Sequence, residues 1–456
     1  MRPLPGYEIG ESLHEGAFAL VARGRDLGTS RSVILKSLRD PNDHQRRARL
    51  QHEYNLLADL RAPRIVAAHA LIENELDLAL VEEDIGGLPL SRFIAQGPCP
   101  LASFFGIALQ LTDAVQEVHR CNIIHRDINP SNVVFNRATG KLQLIDFGLA
   151  SRLSNEHPEL VPPERIQGTL PYLAPEQSGR MNRTVDFRAD FYALGVTFYE
   201  LLVGARPFVA RDALEWVDCH IARVPPVPSE VSPAVPQALS DIVLKLLTKE
   251  AEDRYQSAAG IRHDLEECLR QWRFKGAIDP FVLGANDISD RFRLPQRLYG
   301  REEELAALAG AFERVAASGC PEFVLVAGHA GVGKSALVAE LHRPVIARRG
   351  NFFCAKFDQY RRGTPYAALV DALSELVEQV LSEPKERLEF WRPDHGFRRR
   401  KRTGCGRSYS PVANRDRRAI ARAGTTTGSG QATIAALGTT LRRRIRHDGT
   451  TPRPIS

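Results

Sequence analysis

The sequence predicts an α+β chain in three parts: a β-rich lobe feeding a helical lobe, a partial α/β domain, and an Arg-rich tail of low order. Three observations predict it. Residues 7–38 alternate and break as a β-meander does. Residues 101–120 repeat their apolar positions as an amphipathic helix does. The apolar run Phe323–Ala327 leads straight into a Gly-rich turn, as a buried strand does when it enters a helix.

At 456 residues the chain can hold two or three domains, each with its own core. Its apolar and charged fractions are those of a globular protein. No apolar run reaches membrane-spanning length and Met1–Pro5 lacks the apolar core of a signal peptide, which makes a cytoplasmic location the expectation. The seven cysteines (99, 121, 219, 268, 320, 354, 405) are scattered, without Cys-x-x-Cys pairs, and predict idle thiols instead of disulfides or a zinc site. From Pro393 onward, fourteen Arg and one Lys face three Asp, a balance of +12, so the first 392 residues carry −6 of the total +6. The basic character therefore belongs to the tail, and it does not by itself imply a nucleic-acid or membrane role for the body.

In chain order, 44–61 is rich in Arg, Leu and Ala without Gly or Pro and reads as a helix. Ile65–Glu73 and Leu76–Glu83 read as strands. Helix 101–120 ends in His119-Arg120, with His119 a structural helix-end residue. Then comes His125-Arg126-Asp127-Ile128-Asn129-Pro130-Ser131-Asn132, with Asp146-Phe147-Gly148 nineteen residues after Asp127. One carboxylate is spaced to take a hydroxyl proton, while an amide oxygen and a second carboxylate are spaced to hold magnesium on a nucleotide. The strands Asn132–Phe135 and Leu142–Ile145, joined by a Thr139-Gly140 turn, supply the strand–loop–strand setting that this chemistry needs.

With these parts in order, residues 7–272 resemble a protein kinase domain of the serine/threonine type. The resemblance implies an α+β bilobal protein kinase-like fold, ATP and Mg²⁺ as cofactors, and a protein substrate with a Ser/Thr acceptor. Leu13, Gly16 and Val21 would belong to the turn that closes over the phosphates, although His14 and Ala19 stand where two of its three glycines usually do. Lys36 would clamp the α/β-phosphates and Glu53 would orient Lys36. Asp127 would receive or orient the substrate hydroxyl proton, Asn132 and Asp146 would hold Mg²⁺, and Thr169 would order the substrate-facing loop. Ala174-Pro175-Glu176 would close the activation segment, Asp190 would anchor the catalytic loop, and Arg254 would pair with Glu176. Arg126 suits a phosphate docked on that segment, with Ser151, Ser154 and Thr169 as nominal acceptors. Leu80–Gly87 resembles the hinge that faces an adenine edge, and Glu82 falls where an apolar side chain usually backs the pocket. A charge there is costly unless paired or turned outward.

The chain departs from the pattern after Asp127. Serine/threonine kinases place a lysine two residues on, and tyrosine kinases an arginine two residues further; this chain has Asn129 and Ser131. Losing that cation costs about 3–4 kcal/mol of transition-state stabilisation, or about a hundredfold or more in rate. Asn129 offers one neutral hydrogen bond instead. Two functions follow: an ATP/Mg-dependent protein serine/threonine kinase, and a catalytically weak pseudokinase acting as a nucleotide-binding regulatory module.

Gly276, Pro280 and Gly284 punctuate a linker, set at 273–297. Glu302–Ala317 predicts a helix. The run Gly328-His329-Ala330-Gly331-Val332-Gly333-Lys334-Ser335 is a Gly-x-x-x-x-Gly-Lys-Ser phosphate loop between strand and helix, in which backbone N–H groups wrap phosphates, Lys334 reaches β/γ oxygens and Ser335 ligates Mg²⁺. Residues 298–392 resemble the start of an AAA- or STAND-type ATPase, which follows a kinase domain in large signalling hybrids; that implies downstream signalling domains as partners. Asn351–Asp358 and Tyr366–Leu381 read as its next strand and helix, and no later apolar strand ends in Asp-Asp or Asp-Glu. From 393 to 456 the arginine runs and the absence of Glu look like a GC-rich gene read in a shifted frame, which the coding DNA would settle. An arginine-rich arm for nucleic acid ranks second because few aromatics interleave with the arginines.

Overall fold

The computed structural model describes residues 4–16, 18–74, 77–152, 166–181, 183–288, 300–329, 331–348, 350, 352, 370, 373, 374, 377 and 433–437. It divides into two compact units, Met1–Arg297 and Leu298–Ser456.

The first unit opens with the meander. Strands β1 (Tyr7–Glu15), β2 (Ala19–Asp26), β3 (Ser32–Leu38), β4 (Ala68–Asn74) and β5 (Asp77–Glu83) form an antiparallel sheet in the order β1-β2-β3-β5-β4. Helix α1 (His44–Asp59) lies between β3 and β4, and Asp43 caps it by accepting from the Gln45 and Arg46 N–H groups. Such a cap contributes about 1 kcal/mol. Alternation along β3 buries Val33 and Leu35 with Ala79 and Val81 of β5 in one small cluster, which leaves Ile34, Lys36, Leu80 and Glu82 to the other face.

After the short β6 (Leu88–Pro89) and α2 (Leu90–Ile94), helix α3 (Leu101–Arg120) spans the predicted range and leads to β7 (Ile123–Ile124). The hairpin β8 (Val133–Asn136) and β9 (Lys141–Leu144) follows, and β10 (Ser151–Arg152) pairs with β7. The central helix α4 (Arg188–Val203) is apolar nearly all round and buried nearly all round. Gly195 is where α7 (Gln237–Leu246) presses on it: a Cβ there would lie 2.7 Å from the Leu246 Cβ. Between them come α5 (Ala213–Ala222) and α6 (Pro228–Val231), so the Pro-rich run 224–236 connects helices and is not a domain boundary.

Helix α8 (Ala258–Lys275) closes the unit, with Gly276 ending it at φ +72°. The residues that follow do not form a free linker. Ile278, Phe281 and Leu283 pack on the helical core. Asp287 accepts from the Gln256 N–H at 2.7 Å and from the Ser257 hydroxyl at 2.7 Å, beside the start of α8. A strap of apolar side chains and one carboxylate thus extends the unit past 272, contrary to the boundary read from Gly and Pro.

In the second unit α9 (Glu302–Ser318) packs on β11 (Glu322–Val326), which α10 (Lys334–Ala339) and α11 (His342–Ala347) follow. Among the described residues this strand is covered on one face. Val324 and Val326 pack on the helical cluster, whereas Phe323 and Leu325 are 64% and 58% exposed, because the described helices cover one face only. β12 (Thr433–Leu437) pairs antiparallel with β11. The expectations for 351–358, 366–381 and the rest of 393–456 lie almost wholly outside the described residues.

Candidate active site

The face of the sheet opposite the Val33–Leu35–Ala79–Val81 cluster carries Lys36, buried on β3. Its Nζ donates to both Glu53 carboxylate oxygens at 2.8 Å and to Asp146 Oδ1 at 3.0 Å. Glu53 is fully buried on α1 and also accepts the Phe147 N–H at 3.0 Å, which ties helix, sheet and Asp146-Phe147-Gly148 together. Burial lowers the Lys36 pKa, but the Asp146 and Glu53 carboxylates outweigh it and hold the ammonium charged, raising the pKa overall. For Asp146, burial pushes the carboxyl up and Lys36 pulls it down further, to about 2. Asp146 sits at φ +63° just after β9, a left-handed conformation that Asp tolerates better than most residues.

The loop that carries Asp127 hangs from Asp190 near the start of α4. Its carboxylate accepts the His125 N–H at 2.9 Å and the Arg126 N–H at 2.8 Å, with His119 Nε2 at 2.8 Å. Arg126 itself adopts φ +68°, and this double anchor holds it there. His119 is therefore structural, as expected from its position. Asn132 Nδ2 donates to the Asp127 carbonyl at 2.9 Å and to Asp127 Oδ2 at 3.0 Å, which leaves its carboxamide oxygen for a cation. The Ile145 N–H donates to the Asn132 carbonyl at 2.9 Å, bringing Asn132 and Asp146 to the same end of the hairpin. The Thr169 N–H donates to Asp127 Oδ1 at 2.9 Å, and Asn129 Nδ2 donates to Thr169 Oγ1 at 3.2 Å. Asp127, Asn129, Asn132 and Thr169 thus form one hydrogen-bonded group.

Val21 lies opposite Lys36 across β2–β3, and Leu13 is half-buried on β1 beside it. Gly16 turns the hairpin, its N–H donating to the Ala19 carbonyl at 3.0 Å. The pair Glu176–Arg254 is buried and bidentate, at 2.6 and 2.9 Å. Arg49 escaped the sequence reading. Four residues before Glu53, it shares that face of α1. Its guanidinium stacks 4.7 Å from the Phe18 ring and helps hold Asp146 ionised. Only helical spacing from Glu53 could have signalled it.

One ionised carboxylate and one carboxamide oxygen suit Mg²⁺, which keeps several waters and takes nucleotide oxygens for the rest of its shell. Among the described residues no cluster of three or more His, Cys, Asp or Glu could hold a metal by itself.

In the second unit Gly331 and Gly333 have φ +79° and +88°, as the turn requires. Lys334 Nζ donates to the carbonyls of Gly328 at 3.0 Å and His329 at 2.7 Å, and Ser335 is exposed.

A protein kinase domain family matches residues 7–265, and an AAA ATPase domain family matches 297–451. The second match runs past the composition break at 393. Similar proteins include a probable serine/threonine-protein kinase of Streptomyces coelicolor, 33% identical over 270 residues (58% of this chain, 40% of that protein). PknB, a serine/threonine-protein kinase of Mycobacterium leprae, is 32% identical over 269 residues (57% and 42%). Hybrid signal transduction histidine kinase G of Dictyostelium discoideum is 30% identical over 376 residues (64% and 11%). The chain spans less than half the length of each.

Proposed function

The chain belongs to the protein kinase family, and on that premise we propose that it transfers the γ-phosphoryl group of ATP to serine or threonine hydroxyls of a protein. The observation that carries this reading is the continuous hydrogen bonding of Lys36 to Glu53 and Asp146, at the same end of a hairpin as the Asn132–Asp127 pair. Lys36 binds α/β-phosphate oxygens and Glu53 keeps it aimed. Asp127 orients the acceptor hydroxyl and takes its proton as the oxygen bonds to the γ-phosphorus and the bond to ADP breaks. Asn132 and Asp146 would hold Mg²⁺, which when bound neutralises charge on the phosphates. Leu13, Gly16 and Val21 roof the nucleotide, and Thr169 positions the acceptor segment. Signalling domains like those named in the Dictyostelium relative are the partners this architecture suggests.

Asn129 supports a second reading. Its carboxamide is spent on Thr169, Asp127 and the Ser131 N–H, so the residue that replaces the usual cation adds no positive charge. A nucleotide-binding pseudokinase is the corresponding function. Incubation with Mg²⁺ and γ-labelled ATP, followed by phosphoamino-acid analysis, separates the two. Label in phosphoserine or phosphothreonine is expected; a melting point raised by Mg·ATP with no label would give the second reading instead.

A further inference from the structure

The loop after Asp127 supplies no cation, because Asn129 stands at the usual lysine position and its carboxamide is spent on Thr169, Asp127 and the Ser131 N–H. A guanidinium on another element is placed to supply that charge. Helix α1 carries Arg46, Arg47 and Arg49. Arg46 pairs with Asp43 at 2.9 Å and Arg47 with Glu73 at 2.5 Å. Arg49 differs: its Nε is enclosed, yet it has no hydrogen-bond partner among the described residues. Its guanidinium lies instead 4.7 Å from the centre of the Phe18 ring, in the turn between β1 and β2. It also presses on Gly148. A Cβ there would stand 2.7 Å from Arg49 Nε, 3.3 Å from Nη2 and 3.3 Å from Asp146 Oδ1, so guanidinium and carboxylate meet at that glycine. One turn further along the same face of α1, Glu53 aims Lys36.

We propose that Arg49 is a catalytic residue of phosphoryl transfer, leaving the Phe18 ring to donate two hydrogen bonds to γ-phosphoryl oxygens of ATP. This rests on the kinase reading above, in which Asp146 and Asn132 keep the γ-phosphoryl group beside them. A cation on a ring face is weakly held, whereas the planar fork of a guanidinium matches phosphate oxygens two at a time. Arg49 neither gains nor loses a proton. It offsets the charge spread over the γ-phosphoryl oxygens while the acceptor oxygen bonds to phosphorus, Asp127 takes the hydroxyl proton and the bond to ADP breaks. ADP, which lacks that group, leaves Arg49 on Phe18.

The test uses the full chain and follows label transfer from saturating Mg²⁺ and γ-labelled ATP, together with the dissociation constant of Mg·ADP, which also checks folding. Arg49→Gln is expected to lower transfer by about a hundredfold or more, with Mg·ADP binding within about twofold of wild type. Arg49→Lys keeps the charge without the fork and is expected to stay roughly tenfold above Arg49→Gln. Adding Asn129→Lys to Arg49→Gln restores a cation from the loop and is expected to recover about tenfold or more. Transfer by Arg49→Gln within about threefold of wild type overturns the proposal. So does a loss matched by equally weakened Mg·ADP binding, which structural support of Asp146 alone would produce. So does a difference between wild type and Arg49→Gln that phosphatase treatment of both abolishes, which would seat Arg49 on a phosphorylated residue instead. If wild type itself transfers no label, the kinase reading fails and this assignment with it; if wild type transfers and Arg49→Gln keeps pace, this assignment alone fails.

Discussion

On the proposed reading, Lys36 joins stability to phosphate binding. Its ammonium is the counter-charge to the buried Glu53. Lys36→Met leaves that carboxylate uncompensated, a change that costs about 3–5 kcal/mol. The variant is therefore expected to lose phosphoryl transfer and to melt lower, by calorimetry. Full transfer with unchanged melting would show that the phosphate clamp lies elsewhere. Glu82 acts in the opposite sense. Unfolded, its carboxyl ionises near 4.5, and folded near 8. Between those values the folded state holds the extra proton, so this residue makes stability fall as pH rises, by about 1.4 kcal/mol per pH unit. Glu82→Leu is expected to raise the melting temperature more at pH 8 than at pH 5, and an equal gain at both would refute the raised pKa. At this scale the sequence was informative where a motif fixes spacing: Lys36, Asp127, Asn132 and Asp146 all stand at such positions. Arg49 was not legible, because helical neighbours become visible only once the face of α1 turned to the cleft is known.

Among elements, helix ends and strand ranges followed from local chemistry. The Asp43 cap, the periodicity of α3 and the Gly276 stop all work within a few residues of chain. The strap after α8 was misread because Gly and Pro mark turns, and what lies beyond a turn depends on distant partners. Ile278, Phe281, Leu283 and Asp287 find theirs on the helical core and beside the start of α8. A fragment ending at 288 is therefore expected to melt higher than one ending at 276, by roughly 5 °C. Indistinguishable melting curves would return the strap to the status of a linker.

For the whole molecule, the sequence carried the order of parts, and the family matches to 7–265 and 297–451 agree with that order. The end of the second domain was less legible. Composition breaks at 393, whereas the match continues to 451 and Thr433–Leu437 pairs with β11. Pairing across more than a hundred residues leaves no local trace in a sequence. What unites the first unit is the hydrogen bonding that joins sheet, helix α1 and the two loops: Lys36 with Glu53 and Asp146, and Asp127 with Asn132 and Thr169. The most direct measurement is the rate of label transfer from γ-labelled ATP by the full chain, wild type against Asp127→Asn, alongside the melting shift caused by Mg·ATP. A loss of about a hundredfold or more in transfer is expected, with the melting shift retained. Transfer undiminished in Asp127→Asn would contradict it.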